Sequence, residues 1–330
     1  MRAFTHYSAN SLEEVFTLLE RYGDGACLNA GGTDLVTVLR GEVTADYPKA
    51  VIDLKTVPGL CGINCTQDTL SIGAMTALAA VASSEHVRGH CPALAAAALA
   101  VASPQIRNAG TLGGNLCQNT RCWYYRYPAR LNGGSPLMCP RKGGGACLAV
   151  RGDNRYHAIL GGRRCFAVCP SDTAVALAAL GASLVLESRR GCRRVAVEEF
   201  YHPLGIVLEQ DEVLTAVTIP LRQGRRQSFR KFAQRKAVDF ALCSTAAVLE
   251  MDGDVCLGGR IALGAVAPGP VCPAAAGQLT GRHLTPELID SVAEAALDGA
   301  KPLSMNGYKV ELAKNLVRQA LYDLLTEDRL

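Results

Sequence analysis

The apolar positions of this chain change period as it runs, and each period predicts an element. Leu12, Val15, Phe16, Leu18 and Leu19 recur at helical spacing over residues 11–20, behind Ser11 as an N-cap. A short strand over 26–29 runs into a Gly31-Gly32 turn and an apolar helix start over 36–39. Residues 50–54 read as a buried strand, and 62–64 with 69–73 as a hairpin around Gln67-Asp68. Two Ala-rich helices, over 76–87 and 92–102, lead to a second glycine-rich turn over 107–115.

The pattern resumes after residue 169. Pro170-Ser171-Asp172-Thr173 caps an apolar helix over 174–180, and strands follow over 182–187, 194–197 and 212–219, the last stopped by Pro220. The polar, basic stretch 221–227 marks a domain boundary. Beyond it, 228–232, 244–251 and 255–266 read as antiparallel strands, with Asp252-Gly253 as a hairpin turn. Residues 286–297 and 310–325 read as amphipathic helices. Runs of strands followed by runs of helices predict an α+β class.

Residues 117–169 break this pattern. They hold Cys117, Cys122, Cys139, Cys147, Cys165 and Cys169, six of the 14 cysteines, together with the one tryptophan, Trp123, and many basic side chains. The segment reads as an insertion, and cysteines gathered in an insertion suggest a metal site. The chain has 330 residues, enough for two or three domains, and its net charge of +4 is too mild and scattered to argue for nucleic acid. The first residues carry no apolar signal core, and no run of about 18 apolar residues exists to span a membrane. The expected compartment is the cytoplasm, where thiols stay reduced and serve as ligands or core residues rather than disulfides.

Strand, Gly-Gly turn and helix together aim backbone N–H groups at an anion. Neither glycine loop is a P-loop or a GxGxxG fingerprint. Two donor loops suit a long ligand with a diphosphate, such as a dinucleotide. In the insertion, Cys122, Cys139, Cys147 and Cys165 follow the spacing C-x16-C-x7-C-x17-C. Paired zinc knuckles are missing from that spacing, and from pattern alone iron–sulfur and zinc both stay open. Cys117 reads as a core or shielding residue. The other cysteines, and all six histidines, show no ligand cluster and read as structural. Asp172 reads either as a helix cap or as a ligand residue, and Lys231 either as an exposed strand residue or as part of a site. We find no nucleophile, base or substrate pocket of the chain's own.

The motifs, in order, are Ala30 to Leu35 (AGGTDL), Thr111 to Asn115 (TLGGN), Ser171-Asp172-Thr173, Lys231-x3-Arg235-x3-Asp239-x-Ala241, and Ala265-Val266-Ala267-Pro268. Together they resemble the FAD-binding subunit of molybdenum hydroxylases, the xanthine dehydrogenase and carbon monoxide dehydrogenase family. The cysteine insertion is similar to that of the 4-hydroxybenzoyl-CoA reductase beta subunit, which carries an extra 4Fe-4S cluster. The resemblance implies a two-subdomain, PCMH-type FAD-binding domain over 1–220, with 117–169 as an iron–sulfur loop, and a C-terminal α+β domain over 221–330.

It also implies the site residues. FAD would be held by Asn29, Ala30, Gly31, Gly32, Thr33, Asp34 and Leu35, and by Thr111, Gly113, Gly114 and Asn115. Asp172 would bond a cofactor hydroxyl, Lys231 would lie near the flavin, and Val101 and Leu214 near its ring. The cluster would sit on Cys122, Cys139, Cys147 and Cys165, with Cys169 as the substitute fourth ligand. The loop is expected to order on its metal and to be separate from the flavin loops. Implied partners are a molybdenum-cofactor large subunit and a 2Fe-2S small subunit in a dimer of heterotrimers, with ferredoxin or NAD(P) as electron partner. Two other readings remain: a structural-zinc or partner-binding loop, and an oxidase of the vanillyl-alcohol oxidase group. The short α+β tail argues against the second.

Overall fold

The computed structural model describes residues 1–44, 46–128, 137–253 and 255–326. Residues 129–136 of the expected insertion lie outside the described residues. The chain opens with a three-stranded parallel sheet in which Ala50–Asp53 runs between Thr5–Ser8 and Ala26–Asn29. Ala50, Val51 and Ile52 are all buried, as a central parallel strand requires. Helix Leu12–Tyr22 buries Val15, Phe16, Leu18 and Leu19, and the Ser11 hydroxyl accepts the Glu14 amide at 3.1 Å. Strand Thr5–Ser8 is four polar residues, too short to declare a period, and the sequence pattern misses it.

An antiparallel five-stranded sheet follows, in the order Ile63–Cys65, Thr69–Gly73, Val213–Pro220, Ser183–Ser188, Gly191–Ala196. Its inner face buries Leu70, Ile72, Leu184, Leu186, Val217 and Ile219. Helices Pro92–Leu99 and Asp172–Ala179 pack on that face, and the same core takes Ala246, Val248 and Ala262 from the next sheet. Helices covered from both sides read apolar all round, which explains their alanine content. Small residues also let the layers approach. A Cβ on Gly264 would lie 2.3 Å from the Val175 side chain.

The last sheet is antiparallel, in the order Arg225–Phe232, Cys243–Asp252, Val255–Gly264, Arg282–His283. Helices Pro286–Ala295 and Tyr308–Thr326 close a second core against it. Among the described residues no helix is long and apolar enough to cross a membrane.

Two expected elements are replaced. The helix expected over 76–87 is two helices, Leu78–Ser83 and Glu85–His90. Ser84 between them leaves helical backbone at ψ 129°, and its hydroxyl accepts the Val87 amide. A serine able to cap outweighs the continuous alanine pattern. The turn expected over 107–115 is mostly helical: Pro104–Ala109 is capped by Ser103, and Leu112–Leu116 by Thr111.

Lys309 is fully buried beneath the second core, and its ammonium donates to the carbonyls of Tyr156, His157 and Ala265. Lys309→Met leaves these acceptors unpaired and is expected to destabilise the chain by about 3 kcal/mol. Burial lowers this lysine's pKa to about 8. Between pH 8 and its ordinary value near 10.5 the unfolded chain therefore binds the extra proton, so this residue makes stability rise with pH there. Thermal unfolding across that window checks both points. The Lys309→Met variant should unfold at lower temperature and lack this part of the pH slope.

Candidate functional site

The turn after strand Ala26–Asn29 and the start of helix Leu112–Leu116 meet at the mouth of a cleft of about 650 Å³. Ala30, Gly31, Gly32, Thr33, Asp34 and Leu35 line it from one side, and Thr111, Gly113, Gly114 and Asn115 from the other. Asp172, at the start of helix Asp172–Ala179, Leu214 on strand Val213–Pro220, Lys231 on strand Arg225–Phe232, and Val101 complete the walls. Of the residues expected to bind flavin, Asn29 alone does not line the cleft.

The two loops do different work. Among the described residues, the amides of Gly31, Gly32 and Thr33 have no acceptor, and Gly32 holds φ at +74°, a left-handed turn natural to glycine. In the second loop the amides are engaged: Leu112 on the Thr76 carbonyl, Gly113 on that of Ala74, Gly114 on the Thr111 hydroxyl and Asn115 on the Thr111 carbonyl. The first loop leaves its amides open to an acceptor. The second is a wall packed against it. A Cβ on Gly31 would lie 2.1 Å from the Ala109 carbonyl oxygen, and one on Gly114 would lie 3.0 Å from the Thr111 hydroxyl. These glycines admit loop to loop.

Ser171, not Asp172, caps the following helix, its hydroxyl accepting the Ala174 amide at 3.1 Å. The Asp172 carboxylate is buried and pairs with Lys231 Nζ at 2.6 Å. Burial raises its pKa, and Lys231 opposes the shift. The Asp172 Oδ1 atom has no donor among the described residues, which suits a ligand hydroxyl. Lys231 also donates to the carbonyls of Ala100 and Asp239, at 3.0 Å each, so its three donors are taken. It supplies charge and fixes Asp172. At the same end of the cleft, Val238 and Ala102 both hold positive φ, 54° and 43°, and the Val238 amide bonds the Ala102 carbonyl. A β-branched residue in that region is strained backbone, of the kind found at ligand sites.

The cysteine segment is not separate from this cleft. Asp34 accepts from Arg121 Nη1 at 2.5 Å, Arg126 Nη2 at 2.8 Å and the Asn119 amide at 2.8 Å. Val38 and Val43, just after the first loop, pack with Tyr125, Cys139 and Cys122. The expected separateness of flavin loop and insertion is therefore corrected: a part-buried ion pair and an apolar contact join them.

Cys122, Cys139, Cys147 and Cys165 converge. The Cys147 thiol bonds Cys165, and the charges of Cys165 and Cys139 both act on Cys122. Arg141 Nε and the Ala167 amide each lie 3.4 Å from Cys165 Sγ. The bond from Cys147, with these donors, holds the Cys165 pKa well below the thiol range. Burial pushes Cys122 up to about 11. Cys169 is buried and lines a cavity together with Cys122. No three of the four converging sulfurs lie mutually within 4.8 Å, whereas tetrahedral zinc needs ligand sulfurs about 3.8 Å apart.

The family described as the FAD binding domain in molybdopterin dehydrogenase matches residues 2–222. The chain belongs to that family. Residues 228–324 of this flavoprotein subunit match the CO dehydrogenase flavoprotein C-terminal domain. The aldehyde oxidoreductase FAD-binding subunit PaoB of Escherichia coli (strain K12) is 34% identical, over 97% of this chain and 98% of its own. The carbon monoxide dehydrogenase medium chain of Hydrogenophaga pseudoflava is 29% identical, over 96% of each chain. The solved carbon monoxide dehydrogenase from that organism superposes with a TM-score of 0.77 at 27% identity, covering 98% of both chains. The α+β architecture is that of these medium chains. The chain is an FAD-binding oxidoreductase subunit of the molybdenum hydroxylase family, partnered with other subunits.

Sequence reasoning missed Arg121 and Arg126 as parts of the flavin cleft, and His157, whose Nε2 lies 3.2 Å from Cys122 Sγ. The arginines follow TLGGN directly, and an acid inside AGGTDL is the signal that they have a partner. His157 offered no signal, since Cys122, the cysteine it meets, is 35 residues away in sequence. Gly31→Ala is expected to force the two loops apart and yield protein depleted in flavin, while Gly277→Ala, with nothing within 4 Å, keeps it. The flavin-to-protein absorbance ratio reads the difference.

Proposed function

We propose that this subunit carries both FAD and a 4Fe-4S cluster and passes electrons between an external partner and a molybdenum-bearing subunit, in the manner of the 4-hydroxybenzoyl-CoA reductase beta subunit. The observation that carries the reading is four cysteines gathered on a segment ion-paired to Asp34, with Arg141 Nε and the Ala167 amide on Cys165 Sγ. A flavin exchanges one- and two-electron carriers, and a cluster supplies single electrons.

The chain's own residues position and insulate. Gly31, Gly32 and Thr33 amides would take the diphosphate, and Asp172, set by Lys231, a cofactor hydroxyl. Val101 and Leu214 would flank the ring. Cys122 opens on a second cavity of about 290 Å³ whose walls include Arg121, Asp172, Asp239 and Phe240, residues that also line the cleft. The segment that carries Cys122 would thus adjoin the cleft through these residues. Arg141 and Lys142 would offset the negative charge of four thiolates.

In this reading residues 1–220 form the flavin domain and 221–330 the C-terminal domain. A molybdenum-cofactor large subunit chooses the organic substrate, and a 2Fe-2S small subunit joins the two, in a dimer of heterotrimers in the cytoplasm. Ferredoxin or NAD(P) is the external electron partner. Structural zinc on the same four cysteines is the alternative, and it would show as zinc in place of iron.

Cys122→Ser, Cys139→Ser, Cys147→Ser and Cys165→Ser should each lower iron content and the reduced-cluster EPR signal, and Cys169→Ser should not. Full iron in all four proposed ligand variants, or an equivalent of zinc in the isolated complex that those four variants lose, would reject the cluster.

A further inference from the structure

Strand Ile63–Cys65 is the outermost strand of the five-stranded sheet, three residues long and paired on one side. Helix Glu85–His90 lies beside it and carries His86 and His90 four residues apart, on one face. The sequence pattern treated both histidines and Cys65 as structural, because some twenty residues separate the thiol from the imidazoles (order of spacing only). The fold brings them together: the ligand atoms of Cys65, His86 and His90 all lie within 4.8 Å of one another.

We propose that these three residues bind a borderline-soft divalent cation, with Zn²⁺ the preferred ion. A thiolate and two imidazoles form a donor set of the kind that zinc takes, at about 2.3 Å to sulfur and about 2.0 Å to nitrogen. Those lengths put tetrahedral ligands roughly 3.3–3.8 Å apart, so small side-chain rotations close the site. The backbone beneath it is already fixed. Ser84 caps the helix, Val87 is fully buried under it, and Gln227 Nε2 donates to the His90 carbonyl at 2.8 Å. Both histidines are exposed, so the fourth position opens to water or to a side chain of a partner.

None of the three lines the flavin cleft, and none is among the four clustered cysteines. The site is thus independent of the electron-transfer reading. Its effect is mechanical: the metal pins a short edge strand to a neighbouring helix and blunts an exposed sheet edge.

The test uses the intact complex, stripped of loose metal by dialysis against chelator and titrated with Co²⁺. The difference spectrum is read for a thiolate-to-cobalt charge-transfer band. The wild type should give one saturable band that Zn²⁺ displaces. Cys65→Ser should lose it, and His86→Ala and His90→Ala should each weaken binding by about a hundredfold. His86 and His90 lie at the surface and Cys65 is half-buried, and flavin content equal to wild type verifies the fold. A band of wild-type size in Cys65→Ser, undiminished affinity in the histidine variants, or no saturable band in the wild type would overturn the site.

Discussion

The pairing of Asp34 with Arg121 and Arg126 is the interaction on which the site depends. Asp34 ends the flavin turn and begins helix Leu35–Arg40, so its carboxylate fixes where the free amides point. The three side chains are largely shielded, with 14%, 28% and 18% of their surface exposed. Removing the acid would leave two shielded guanidiniums unpaired, a cost of about 3 kcal/mol. Both arginines lie within four residues of Cys122 in the chain. The geometry of the flavin turn and that of the thiol-bearing segment are therefore set by one contact.

That contact gives the insertion part of its order without metal. The segment was expected to be too poor in apolar residues to fold alone. It is poor in regular structure, with helix Trp123–Arg126 and two short 3-10 turns among its described residues. Its buried groups come instead from borrowed surfaces: Tyr125 and Cys139 against Val38 and Val43, and Ile159 against the C-terminal core. Lys142 is buried as well, with its ammonium on the Tyr127 carbonyl at 2.5 Å, so the basic side chains are not simply a solvated face.

Much of the fold was legible in the sequence because its long elements carry long periods. Helix Leu12–Tyr22, strand Cys243–Asp252 and helix Tyr308–Thr326 each repeat their pattern enough times to be read. Helices of five or six residues were not legible as separate pieces, since caps such as Ser84, Ser103 and Thr111 decide them. The cleft was found through AGGTDL and TLGGN, but the division of labour between the two loops was not. Both look like donor loops in sequence. Only the packing reveals that the second has spent its amides on Thr76, Ala74 and Thr111. Contacts between segments distant in the chain, such as Cys122 with His157 or Cys65 with His86, leave no local pattern.

The central claim is that the flavin loop and the cysteine segment form one mechanical unit. Tyr125 tests it most directly. It is buried between the two, its hydroxyl donates to Asn119 Oδ1 at 3.0 Å, and it does not line the flavin cleft. Tyr125→Ala opens a cavity under the segment, at a cost of about 3 kcal/mol, without touching the cofactor. The measurement is the rate of flavin release from the complex. The account predicts release faster by about tenfold, a coupling of roughly 1.4 kcal/mol. A release rate equal to wild type would contradict it.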